Sequence, residues 1–142
     1  MNISIDASDA RTNKNKDTAL GLYEMMIGQK KGPEAVRTFL KPDYIQHNPI
    51  IPTGAESLGA MFGQIAANRP NLRVEIHNVI AFGDYVWVHL NFLNIYNDDP
   101  NDRGIAGVDI YRFDADGKIA EHWDVLQEVP DPATSSNSNG MF

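Results

Sequence analysis

The sequence predicts an α+β fold, with about three N-terminal helices packed on a strongly curved antiparallel sheet of four or more strands. Three observations predict it. Apolar residues recur with a helical period in the first half, the period changes to two after Pro70, and turn signals separate long alternating runs from there on. At 142 residues the chain is sized for one domain. That domain is expected over 17–130, between a flexible N-terminal segment, 1–16, and a flexible Ser/Asn-rich tail, 131–142.

Ala19, Leu22, Tyr23 and Met26 fall at i, i+3, i+4 and i+7, which predicts a helix over 17–27 that stops at Gly28. Pro33 suits the first turn of a second, short helix with Ala35, Val36, Phe39 and Leu40 on its apolar face. Residues 41–52 read as irregular, punctuated by Pro42, Pro49 and Pro52. Thr53-Gly54-Ala55-Glu56 has the form of a capping box ahead of a third helix striped by Leu58, Phe62, Ile65 and Ala66. Leu72, Val74, Ile76, Ile80 and Phe82 then mark a long strand with an irregularity at His77-Asn78. Gly83-Asp84 turns it into a second strand, where Val86, Val88, Leu90 and Phe92 alternate with Tyr85, Trp87, His89 and Asn91. Strands over 104–113 and 118–127, joined by Asp114-Ala115-Asp116-Gly117, complete a meander of four. Helices covering one face of a bent sheet enclose a cone-shaped space.

Composition narrows the function. A net charge of −7 argues against nucleic acid or an anionic membrane as partner. The absence of cysteine excludes disulfides, thiolate metal sites and cysteine nucleophiles. No run reaches the length of a membrane span, and a cytoplasmic protein is the expectation. Phosphate-binding, dinucleotide-binding, Gly-x-Ser-x-Gly and His-Glu-x-x-His motifs are all absent.

The last hairpin carries aromatic and ionisable groups on shared faces, the usual lining of a pocket for a polar organic molecule. Folded about Asp116-Gly117, it sets Asp109 across from Trp123 and Tyr111 across from Glu121. The face bearing Asp109, Tyr111, Trp123 and Gln127 is expected inside, and Arg112, His122 and Asp124 outside. A bulge would invert the second strand and bring His122 and Asp124 into the pocket. Asp109 is the candidate base, or else a structural acceptor for a neighbour such as His47 or Tyr44. His47, in a Pro-bounded loop, and His89, among apolar strand residues, are candidate proton donors or relays; a helix cap and a satisfied core histidine are their bland readings. Tyr44, Phe62, Trp87, Tyr111, Trp123 and Gln127 are the candidate ligand-binding residues. Nothing in the spacing of His47, His89 and Asp109 is specific for metal, so no metal is expected.

Four segments carry a resemblance: Asp43-Tyr44-Ile45-Gln46-His47-Asn48-Pro49, Val86-Trp87-Val88-His89, Val108-Asp109-Ile110-Tyr111-Arg112, and the run from Gly117 to Val125 containing Glu121-His122-Trp123-Asp124. Together they resemble the SnoaL-like group of the nuclear transport factor 2-like superfamily. The resemblance implies a cone-shaped α+β barrel, commonly a homodimer through the outer sheet face. It also implies ring closure by aldol condensation without metal or organic cofactor, an acidic residue removing a proton α to a carbonyl. The position matching the cyclase base is Gln127, which cannot take a proton, so the base is expected from Asp109, His47 or His89. The expected function is proton abstraction on a small carbonyl compound, by condensation or isomerisation. The alternative is a ligand-binding or dimerisation module of the same fold.

Overall fold

The computed structural model describes residues 1–6 and 8–142. In chain order the elements are β1 (Asn2–Ile5), α1 (Ala10–Tyr23) continued by a π-helical turn (Glu24–Gly28), α2 (Gly32–Phe39), β2 (Leu40–Gln46), α3 (Ala55–Asn68), β3 (Arg73–Phe82), β4 (Tyr85–Leu93), β5 (Ile105–Phe113) and β6 (Ile119–Glu128). One six-stranded sheet has the order β1-β3-β4-β5-β6-β2. Its central four strands are the antiparallel meander, and β1 and β2 add parallel edges. The three helices cover its concave face, and the core lies between. Among the described residues no helix is long and apolar enough to cross a membrane.

Two edge strands and the start of α1 depart from the sequence reading. Helix α1 begins seven residues early, capped by the Asp9 side chain, which accepts from the Arg11 N–H. Its first turns hide polar groups rather than apolar ones. The Thr12 hydroxyl accepts from the Gly83 N–H at 3.0 Å, and the Asn15 amide donates to the Gly83 carbonyl at 2.9 Å. That gluing to the β3–β4 turn leaves no apolar stripe to read. Strand β2 occupies part of the segment expected to be irregular. Pro42 is tolerated there because β2 is an edge strand whose register slips between Leu40 and Ile45. Thr53 does not cap α3: its hydroxyl takes the Gln46 N–H and donates to the Tyr44 carbonyl, tying the α3 approach to β2. The irregularity expected at His77-Asn78 is present as a register shift between β3 and β4.

The connection from β4 to β5 is ordered by Asp102. Burial pushes its carboxyl up, but the N–H groups of Asn94 and Gly104 and the Asn97 amide hold it below its ordinary value. The stability it contributes is therefore complete above the unfolded value of 3.8 and is lost as pH falls through the lower folded value. Asp102→Asn should cost about 1–2 kcal/mol at neutral pH. In chemical denaturation against pH, its deficit relative to wild type should shrink below that window.

Candidate functional site

A cavity opens between the helices and the concave face of the sheet, about 660 Å³ with its mouth included. Most of its wall is apolar, from Leu22 and Met26 through Leu58, Met61 and Phe62 to Phe92, Ile95 and Leu126. Its polar end is built from Tyr23, Tyr44, Asn48, Asp109, Tyr111, His122 and Asp124. Apolar walls with a few convergent polar groups make this cavity the candidate site for a small molecule.

Asp109, only 3% exposed, sits at the centre of the polar end. Its Oδ2 accepts from the Tyr23 hydroxyl at 2.6 Å and from the Tyr111 hydroxyl at 3.2 Å. Tyr111 shares its proton with the Tyr23 oxygen at 2.8 Å. Burial, followed by the nearby Asp109 charge, raises both phenols well above their ordinary range, so they remain donors. Among the described residues Asp109 Oδ1 has no hydrogen-bond partner; 3.6 Å away lies His122 Nε2, which is equally without one.

The orientation of His122 follows from its other nitrogen. Gln46 Oε1 accepts the Asn48 backbone N–H at 2.9 Å, and Gln46 Nε2 donates to the Tyr44 oxygen at 2.9 Å, which fixes the amide. His122 Nδ1, 2.9 Å from that same Oε1, must then carry a hydrogen, and Nε2 faces Asp109 and the cavity. Asn48 in turn donates to Asp124 Oδ2 at 2.7 Å. Tyr44 keeps its own proton, because burial and the charges of Asp109 and Asp124 raise its hydroxyl.

The bulge decides which groups meet. Register runs Asp109↔Asp124, Tyr111↔His122 and Arg112↔Glu121, and then slips so that Phe113 faces Ile119. Ala120 is the extra residue, and beyond it the side chains of β6 change faces. His122, Asp124 and Leu126 therefore line the cavity, while Trp123 and Gln127 do not. The expected pairing of Asp109 with Trp123, and of Tyr111 with Glu121, is corrected by one residue.

Asp109, Tyr111, Tyr44 and Phe62 line the cavity. The other sequence candidates lie on the convex side. His47 stacks on Trp123 with ring centres 4.7 Å apart and holds Glu121 at 2.8 Å. That contact and the Arg112 guanidinium keep the Glu121 carboxyl low despite the opposing effect of burial. Trp87 is 47% exposed beside Ile80, Phe82 and Tyr85. His89 pairs with the Asn78 amide at 3.0 Å and stacks on Phe142. Strand alternation puts it opposite Val88 and Leu90, so its apolar neighbours in sequence are not its neighbours in space. His47, His89 and Asp109 are not brought together.

Tyr23, Gln46 and Asn48 escaped the sequence reading as site residues. The signal was available in Tyr44, Gln46 and Asn48, which alternate on one side of β2 and its extension while Ile45 and His47 take the other.

A bent sheet closed by helices over an apolar cavity is an α+β fold of the cone type. The chain belongs to the SnoaL-like domain family, whose model matches residues 21–122. No curated protein matches it. Among solved structures it is similar to a candidate polyketide cyclase from Bacillus cereus ATCC 10987, with 23% identity, a TM-score of 0.70, and coverage of 89% of this chain and 84% of that one. It is also similar to an NTF2-like protein of unknown function from Mesorhizobium loti, with 16% identity, a TM-score of 0.66, and coverage of 89% and 99%. TsrD from Streptomyces laurentii gives 21% identity, a TM-score of 0.62, and coverage of 87% and 92%. At these identities the likeness establishes the fold.

Proposed function

We propose that the chain is a cofactor-independent enzyme that removes a proton α to the carbonyl of a small, largely apolar compound. The observation that carries this reading is the Oδ1 of Asp109, without a hydrogen-bond partner among the described residues, at the polar end of an apolar cavity, with its Oδ2 held by two tyrosines. In the step, the α C–H bond breaks, its proton passes to Oδ1, and the electron pair moves into an enolate. Tyr44, whose oxygen is already engaged as an acceptor by Gln46, keeps its proton and donates a hydrogen bond to the enolate oxygen. The carbanion then regains a proton at another carbon, an isomerisation, or attacks a second carbonyl, an aldol condensation. His122, oriented by Gln46, relays the proton.

The test is proton NMR of ketones, β-keto esters and a steroid enone in deuterated buffer. Deuterium uptake at the α-carbon above the buffer rate supports the reading. Saturable binding without uptake, across the panel, would favour the non-catalytic binding module.

The convex sheet face, with Ile80, Phe82, Tyr85 and Trp87 exposed, supports the homodimer that the family resemblance implies. Sedimentation should show a dimer that Phe82→Glu converts to monomer; a wild-type monomer at high micromolar concentration would rule it out.

A further inference from the structure

We propose that Asp109, His122 and Asp124 also form a site for a divalent first-row transition-metal ion, a proposal that stands independently of the proton-transfer reading. One ligand atom from each side chain lies within 4.8 Å of the others, and His122 Nε2 is 3.6 Å from Asp109 Oδ1. An ion about 2.1 Å from each donor needs donors roughly 3–4 Å apart, so the three side chains have to contract by only about 1 Å to hold one.

The second observation is the pair of buried atoms without hydrogen-bond partners, Asp109 Oδ1 and His122 Nε2, in residues 3% and 6% exposed. A carboxylate oxygen and an imidazole nitrogen are both metal-ligand atom types, and among the described residues no Lys or Arg lines the cavity to offset the two carboxylates. Each ligand is also steadied by a hydrogen bond: His122 Nδ1 by Gln46, Asp109 Oδ2 by Tyr23, Asp124 Oδ2 by Asn48. Metal-binding histidines and carboxylates are held in this way. An imidazole with two carboxylates and no thiolate suits manganese, iron, cobalt or zinc over magnesium or calcium. Bound there, the ion occupies the Asp109 lone pair that proton abstraction needs, so metal and catalysis compete.

The experiment titrates the chelator-treated full chain with cobalt chloride, followed by its visible spectrum and by calorimetry. Expected is one equivalent bound, with affinity reduced at least tenfold in His122→Gln and in Asp124→Asn and unchanged in His89→Gln on the convex face. Circular dichroism checks folding, and Asp124→Asn decides if His122→Gln fails to fold. No saturable binding, binding that survives Asp124→Asn, or loss in His89→Gln would overturn the site. Zinc should also suppress α-proton exchange. Metal binding in a protein with no exchange activity would retain the site and remove the proton-transfer reading instead.

Discussion

Asp109→Asn is expected to lower α-proton exchange by about a thousandfold while leaving the protein folded. A positioned general base contributes roughly a hundred- to ten-thousandfold, and a carboxamide cannot accept the proton. The fold survives because the substitution is nearly isosteric and its polar atoms find partners. The amide oxygen accepts from Tyr23 and Tyr111 in place of Oδ2. The amide nitrogen then faces His122 Nε2, which at present has no hydrogen-bond partner, and donates to it. One buried charge is removed and no polar group is orphaned, so the melting temperature should hold or rise. Deuterium uptake and a thermal melt on the same sample separate the two effects. Uptake within tenfold of wild type would remove Asp109 from the role and move the base to His122 or Asp124.

The central meander and the second and third helices were legible because each hides an apolar face at its own period. Legibility failed wherever polar groups or prolines did the structural work. Thr12 and Asn15 bury hydrogen bonds to Gly83, so the start of α1 carries no hydrophobic stripe. Pro42 masks β2, since a proline in an edge strand looks the same in sequence as one in a loop. The cavity lining was legible only in part. Asp109 and Tyr111 line the cavity, but Ala120 inserts into β6 and exchanges Trp123 and Gln127 for His122 and Asp124. A single extra residue in a strand leaves no compositional trace, because it changes only which of two alternating sets faces inward. His47 misled for the same reason: on an extended chain, its neighbours Gln46 and Asn48 take the inward direction that it cannot.

The largest loss of stability from a single methyl group is expected at Gly104. Its φ of 85° lies in the left-handed region, and an added Cβ would stand 2.0 Å from Asn91 Oδ1 and 2.7 Å from the Phe92 carbonyl oxygen. Asn91 cannot easily yield, being buried and donating its amide to the Arg103 carbonyl at 3.0 Å. Backbone strain of about 1 kcal/mol therefore adds to overpacking of about 2–3 kcal/mol, and Gly104→Ala should lose about 3–4 kcal/mol in denaturant titration. Gly83→Ala isolates the strain. Its φ is 56° with no atom within 4 Å of the added Cβ, so the loss there should be only about 1 kcal/mol. Equal losses at the two positions would mean that the connection from β4 to β5 is not packed as described. The consequence reaches the site, because that connection supplies Ile95 and Tyr96 to the cavity wall. Gly104→Ala should thus weaken ligand binding while the Asp109–His122 head, carried on β5 and β6, keeps its geometry.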